Sequence, residues 1–385
     1  MHHFDFYNPT RIVFGEKTIE RLSDLVPAVA RVLVLYGGER ARKTGTLDEV
    51  RAALGTRDVY EFGGIEPNPA YETLMKAVEL VRREKIDFLL AVGGGSVIDG
   101  TKFVAAAALL DGEPWSILET RGANIAAALP FGSVLTLPAT GSEMNNAAVV
   151  TRQATQTKLA FRHSLVFPRF SILDPLKTYT LPPRQIANGV VDAFTHIVEQ
   201  YLTYPAQGFV QDRFAEGLLQ TLIEIGPKAL DRPHDYAIRA NLMWVATLAL
   251  NGLIGAGVPQ DWVTHMVGHE LTARYGIDHA RTLAIVLPSM LQIRRASKRG
   301  KLLQYAERVW QIMDGPEEAR IDEAIRRTRA FFESLDVKTR LADYGIGADA
   351  IDGLIAQLDA NGMTRLGEHK DVTLDVSRRV LEASL

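Results

Sequence analysis

Short apolar runs alternate with amphipathic stretches through the first half of the chain. RVLVLYG (31–37) is aliphatic, rich in valine and closed by glycine, which predicts a buried strand. DVYEFGG (58–64) and FLLAVGGGS (88–96) follow the same pattern, and SVLTLPA (133–139) and FSILDP (170–175) predict later strands. Between them, TGTLDEVRAAL (44–54), NPAYETLMKAVELVRREK (68–85) and SVIDGTKFVAAAALL (96–110) place apolar residues at helical spacing. Strands alternating with helices predict βαβ units around a parallel sheet. From LPPRQIANGVVDAFTHIVEQYL onward nearly every segment is helix-periodic, as in DRFAEGLLQTLIEIGPKAL (212–230) and IDEAIRRTRAFFESL (321–335). Two prolines near Leu181–Pro183 mark the change. The expectation is an α/β domain over 1–180 and a helical domain over 181–385.

Composition narrows the function classes. With 47% apolar residues the chain can bury a sizeable core. A net charge of −3, without a basic block or an acidic tail, disfavours nucleic-acid and anionic-membrane partners. No cysteine is present, which removes disulfides, thiolate metal sites and a cysteine nucleophile, and fits a reducing cytoplasm. The first residues lack the charged-then-apolar layout of a signal peptide. Two uncharged stretches, 122–142 and 240–260, are broken by proline, asparagine and glycine and read as buried core rather than membrane spans.

Chemistry enters at three loops. AVGGGSVID (91–99) joins a strand end to a helix start, where small residues and unpaired N–H groups suit a pyrophosphate. It is neither G-x-G-x-x-G nor a P-loop, and a tight turn would look the same. PATGSE (138–143) is a second small-residue loop with hydroxyls at Thr140 and Ser142. After the first strand, YGGER puts Gly37 and Gly38 where an NAD-selective carboxylate would sit, with Arg40 and Lys43 nearby; only Glu39 argues otherwise. That favours NADP(H).

Three of the nine histidines fall within THMVGHELTARYGIDHA. His265 and His269 share one helix face, and Asp192 and His196 in VDAFTHIVEQY have the same i,i+4 spacing. His279 follows in a less regular stretch. An isolated Asp–His pair is often a surface ion pair, and a lone apolar-face histidine often a satisfied core residue. Gathered on unusually apolar helices, one Asp and three His suit a divalent ion such as Fe2+ or Zn2+. H-E-x-x-H and G-x-S-x-G are both missing, which disfavours zincin and nucleophile-elbow hydrolases.

Taken together, these motifs resemble the iron-containing (group III) alcohol dehydrogenase family over essentially the full length. GGGSVID matches its pyrophosphate loop, LDPLKTYTLPPRQIANGVVDAFTHIVEQY its first signature, and GAGVPQDWVTHMVGHELTARYGIDHARTLAIVLP its second. The chain looks most like the bacterial NADPH-dependent broad-substrate aldehyde reductases of the butanol-dehydrogenase-like branch. The resemblance implies a dehydroquinate-synthase-like fold, with a Rossmann-like parallel-sheet domain before an all-α domain. It implies metal ligation by Asp192, His196, His265 and His279, with His269 beside the substrate instead. It implies pyrophosphate binding by Gly94, Gly95 and Ser96, nucleotide contacts from Thr136 and Thr140, Lys158 at the nicotinamide ribose, and Asp99 at the nicotinamide end. Gly37 and Gly38 replace the acid of NAD-preferring members. Two departures, His279–Ala280 for the common His-Gly and the short PATGSE loop, fit the aldehyde-reductase branch.

The expected reaction is reversible hydride transfer between NADP(H) and a small aldehyde or primary alcohol, with a metal in a cleft between the domains. His269 is the candidate proton relay. A homodimer is expected from the family and from the frequency of symmetric assembly. A dehydroquinate-synthase-like lyase and a metal-dependent hydrolase are the alternatives, with a non-catalytic metal-binding scaffold third. Net NADPH consumption with an aldehyde separates the first, and absence of nicotinamide binding would favour the second.

Overall fold

In the computed structural model, which describes residues 1–385, the first unit is organised by eight strands. They are β1 (Arg11–Phe14), β2 (Arg31–Tyr36), β3 (Asp58–Phe62), β4 (Phe88–Gly94), β5 (Phe131–Leu137), β6 (Ala147–Arg152), β7 (Thr157–Arg162) and β8 (Phe170–Leu173). Six form one sheet in the order β1-β8-β5-β4-β2-β3, and every pairing in it is parallel. Side chains alternate across a strand. Leu33, Leu35, Leu89 and Ala91 therefore enter one core, and Val32, Val34, Leu90 and Val92 the other. Both cores are buried because helices cover both faces. Helix Tyr71–Glu84 buries Leu74, Ala77, Val78 and Val81 against the first. Helix Thr46–Leu54 buries Leu47, Val50 and Leu54 against the second. Each fully buried aliphatic side chain is worth about 1.5–3 kcal/mol against exposure, which is why these strands read as unbroken apolar runs.

The strands and helices of this half agree with the sequence pattern within a few residues. Two features were not expected. The edge strand β1 is only four residues long, and β6 and β7 form an antiparallel hairpin whose exposed positions dilute the alternation.

By chain contacts this unit comprises Tyr7–Leu181 together with His234–Thr247. The latter lies within the helical half of the sequence, yet Met243 joins the α/β core and the Thr247 hydroxyl donates to Glu143 Oε1 at 2.6 Å. Burial, not helical periodicity, assigns it.

The second unit comprises Met1–Phe6, Pro182–Pro233 and Leu248–Leu385. It is helical except for the two-residue strands Arg365–Leu366 and Val372–Thr373. Helices Val263–Tyr275 and His279–Ile293 share a core of Val263, Val267, Leu271, Ile285, Val286 and Met290. No helix is long and apolar enough to cross a membrane.

Candidate metal centre and nucleotide loop

Helix Pro183–Tyr201 opens on a proline, which fits the first turn because its missing N–H would be unpaired there anyway. From Gly189 to Tyr201 every residue is buried. Asp192, His196 and Glu199, at i, i+4 and i+7, lie on one face. The next donor comes from helix Val263–Tyr275. It begins after Trp262, a bulky residue held at φ 66°, and ends at Gly276, also at φ 66° and there without a Cβ penalty. Three residues later His279 begins helix His279–Ile293. Asp278 fastens that turn to the first helix, accepting from Arg184 Nε at 2.7 Å and Asn188 Nδ2 at 2.8 Å.

These elements bring three expected histidines around one carboxylate oxygen. Asp192 Oδ1 lies 3.7 Å from His196 Nε2, 4.0 Å from His265 Nε2 and 3.7 Å from His279 Nε2. The donor atoms of Asp192, His265 and His279 all fall within 4.8 Å of one another. Two donors each about 2.1 Å from an ion at a tetrahedral angle stand about 3.4 Å apart; the separations from Asp192 Oδ1 are about 0.3–0.6 Å longer, and His196 joins the site through Asp192 while standing outside the mutually close trio. Asp192 Oδ1 is buried and accepts no hydrogen bond, a costly state for a carboxylate oxygen unless a cation faces it. Burial lowers His196 to about 4, so its imidazole is neutral at pH 7 and can donate a lone pair. Nitrogen and carboxylate donors without sulfur suit Fe2+ or Zn2+. His269 stands outside this group, half-buried, with its ring 5.2 Å from that of His279 and 6.5 Å from that of His265.

Sequence reasoning missed Glu199. Its carboxylate makes a short hydrogen bond to His265 Nδ1 and accepts the Thr264 N–H at 2.6 Å and the His265 N–H at 3.3 Å. One side chain thus caps the Val263–Tyr275 helix and fixes the ring whose Nε2 faces Asp192, the usual way a carboxylate orients a ligating imidazole. The signal was present, because Glu199 continues the Asp192–His196 face within an apolar helix. Trp262 was also missed; its ring centroid is 5.2 Å from that of His265 and 6.1 Å from that of His196.

In the α/β unit, β2 leads outward to β3 while β4 lies on the other side of β2. The carboxyl ends of β2 and β4 thus flank a topological switch point, where open parallel sheets bind ligands. Gly37 and Gly38 follow β2, and Gly93–Gly95 close β4. The glycines differ in role. A Cβ at Gly95 would lie 2.3 Å from Thr140 Oγ1 and one at Gly93 would lie 2.5 Å from Val97 Cγ2, so these sites are fixed by the protein's own packing. A Cβ at Gly38 would meet nothing within 4 Å. Helix Gly95–Ala107 has no side-chain cap, which leaves its first N–H groups for a ligand.

Other expected residues gather around this loop. Ser96 Oγ accepts the Asn68 N–H at 3.3 Å, and Asn68 Oδ1 accepts from Lys158 Nζ at 2.9 Å, so Asn68 links Ser96 to Lys158. Thr136 lies near the end of β5, and Thr140 Oγ1 accepts the Ser142 N–H at 3.2 Å. Asp99 has both oxygens engaged, accepting from Ser142 Oγ at 2.5 Å and the Val149 N–H at 2.9 Å. Its geometry is that of a clamp between the PATGSE loop and β6. Lys102, also missed, donates to Ser142 Oγ, Asn145 Oδ1 and the Ala147 carbonyl at 2.7–2.9 Å and anchors the same loop from below. Arg40 donates to Thr180 Oγ1, and Arg42 to Tyr36 OH and Glu61.

The chain matches known proteins along nearly its whole length. Residues 9–175 match the family model for iron-containing alcohol dehydrogenase, and residues 186–378 its C-terminal counterpart. The chain is 61% identical to the NADPH-dependent aldehyde reductase YqhD of Escherichia coli, over 100% of both chains. It is 40% identical to a probable NADH-dependent butanol dehydrogenase of Bacillus subtilis, again over 100% of both. Among solved structures, E. coli YqhD superposes with a TM-score of 0.99 at 60% identity, covering 100% of this chain and 99% of that one. An NADH-dependent butanol dehydrogenase from Thermotoga maritima gives 0.95 at 33% identity, with 100% and 99% covered. The chain belongs to the iron-containing alcohol dehydrogenase family and is an oxidoreductase of the metal-dependent alcohol dehydrogenase and aldehyde reductase class.

Proposed function

We propose that this chain reduces small aldehydes with NADPH, and runs the reverse oxidation of primary alcohols, at one divalent ion, Fe2+ or Zn2+, held by Asp192, His196, His265 and His279. The observation that carries the proposal is the convergence of three imidazole Nε2 atoms on one buried carboxylate oxygen. When bound, the metal supplies Lewis-acid polarisation of a carbonyl, and the nicotinamide supplies the hydride.

The protein's own residues do the rest. Burial keeps His196 neutral, and Glu199 fixes the tautomer and orientation of His265. The N–H groups at Gly94, Gly95 and Ser96 are assigned to the pyrophosphate, Thr136 and Thr140 to the nucleotide, and Lys158 to the nicotinamide ribose. Asp99 acts by holding the Ser142 loop in register with them. Reduction also consumes a proton, and His269, half-buried beside His279, is assigned to its delivery. NADP(H) is favoured over NAD(H) because the two residues directly after β2 are Gly37 and Gly38, which offer no acid at those positions to accept from a ribose 2′-OH, although Glu39 follows them. The relatives differ in cofactor, NADPH for the E. coli protein and NADH for the B. subtilis one by their names, so the choice is tested on this chain. A homodimer is part of the proposal, to be checked by light scattering.

The decisive experiment is a panel of aldehydes with NADPH and NADH on protein of measured metal content, alongside Asp192→Ala and His265→Ala. Both variants are expected to lose metal and turnover together. Full metal and full turnover in either one would refute the ligand assignment.

A further inference from the structure

Behind His265 lies a second charged cluster, wholly inside the helical unit. Lys298 is buried, with a side chain 2% exposed. Its ammonium donates to Asp261 Oδ2 at 2.6 Å, Glu368 Oε1 at 2.8 Å and the Leu202 carbonyl at 2.6 Å, which uses all three of its protons. The side chains of Asp261 and Glu368 are also largely buried, at 7% and 4% exposure. The contacts occur at two telling places. Leu202 is the C-cap of the helix that carries Asp192, His196 and Glu199. Asp261 immediately precedes Trp262, the N-cap of the helix that carries His265, and its N–H donates to the Glu199 carbonyl at 2.9 Å. A cavity of about 10 Å³, lined by Glu199, Asp261, Thr264 and Lys298 among others, lies within the cluster. That is close to the smallest volume that holds one water.

Three buried carboxylates, Glu199, Asp261 and Glu368, share this region with one ammonium. Uncompensated buried anions are expensive, and removing the cation from such a group costs more than the pair gains by existing. We infer that Lys298 is a positioning residue of the metal centre, tying the end of one ligand-bearing helix to the start of the other while supplying the counter-charge that leaves Glu199 free to orient His265. This inference rests on the metal-centre reading above. It predicts that metal affinity depends on a lysine that touches none of the four ligands.

The test is a Co2+ titration of metal-free protein against a chromophoric chelator, with the Co2+ absorption spectrum and the thermal midpoint of the apoprotein recorded in parallel. Wild type, Asp192→Ala, Lys298→Met, Lys298→Arg and Asp261→Asn are compared. Lys298→Met is expected to weaken Co2+ binding by about 10- to 100-fold, the range for lost outer-shell support, and to alter the Co2+ bands. Lys298→Arg, which keeps the charge, should recover part of the loss. If Lys298→Met does not fold, Asp261→Asn decides. It keeps the backbone bond to Glu199 and should still weaken binding several-fold. Wild-type affinity and spectrum in a folded Lys298→Met, or failing that in Asp261→Asn, would overturn the inference. Loss of affinity with unchanged Co2+ bands and no recovery in Lys298→Arg would also overturn it, since that pattern marks general loosening. Should Asp192→Ala bind Co2+ like wild type, the metal-centre reading itself fails, a result separable from any outcome at Lys298.

Discussion

Gly38→Asp probes cofactor choice most directly. A Cβ at Gly38 meets nothing within 4 Å, whereas one at Gly37 lies 3.2 Å from the Ile65 carbonyl, so Gly38 is the position that accepts a side chain. Its backbone does not have a positive φ, so an L-residue is unstrained there, and such a surface change alters stability by about 0.5 kcal/mol or less. The new carboxylate stands at the end of β2, where NAD-selective folds put one. A 2′-phosphate carries a charge of about −1.5 to −2. At a separation of about 5 Å, repulsion costs about 1.5 kcal/mol in water and about 6 kcal/mol at an effective dielectric constant of 20. Even the smaller value is tenfold in kcat/KM. With NADH the same carboxylate accepts from the 2′-OH, a charged hydrogen bond worth about 1.5–3 kcal/mol. The two effects add, so the ratio of kcat/KM for NADPH to that for NADH should fall by about 100-fold or more, estimated from those two terms. Arg42 does not rescue NADPH, because its guanidinium is engaged by Tyr36 and Glu61. The assay is initial-rate kinetics with one aldehyde and both cofactors, repeated at low and high salt. The loss with NADPH should be smaller at high salt, where screening shortens the reach of the charge. A folded variant with the wild-type cofactor ratio would show that the ribose does not lie at the end of β2.

Three further outcomes are expected. Glu199→Gln keeps the shape but offers an amide where His265 Nδ1–H and two backbone N–H groups need acceptors. Metal affinity should drop about 10- to 100-fold, as read by chelator competition, and unchanged affinity would dismiss the orienting role. Gly95→Ala puts a methyl 2.3 Å from Thr140 Oγ1, which should cost about 1–3 kcal/mol of stability and raise KM for the nucleotide while leaving metal content intact. Denaturant melts and nucleotide titrations check this, and wild-type values in both would contradict the packing argument. In metal-free protein, acid should destabilise through His196. Its folded pKa is about 4, below the ordinary 6.5, so the unfolded chain takes up the proton first. Its contribution is fully present above pH 6.5 and is lost as pH falls toward 4, by about 3 kcal/mol at 1.36 kcal/mol per unit. A His196→Gln apoprotein should lack that part of the acid slope in urea melts taken from pH 7 to 4, and an identical slope would contradict it.

The sequence by itself determined what is local. Strand runs such as RVLVLYG and FLLAVGGG carried their burial in consecutive residues, because both faces of a parallel sheet are covered. Asp192 with His196 was legible because four residues of helix bring two side chains to one face, and the glycine run marked a close approach, though of Val97 and Thr140 as much as of any ligand. Residue spacing left five candidate side chains, the family resemblance singled out four of them, and the tertiary structure gives the physical reason for that choice. His269 shares a helix face with His265, yet the turn fixed by Asp278 delivers His279 to Asp192 instead. Lys298 sits among polar residues in RRASKRGK and looks like a solvated lysine, since the acids that bury it are 37 and 70 positions away. The placement of His234–Thr247 with the α/β core was decided in the same way. Periodicity reports which face of an element is apolar. Which other element covers that face depends on the packing of the whole chain, and no short window of sequence contains it.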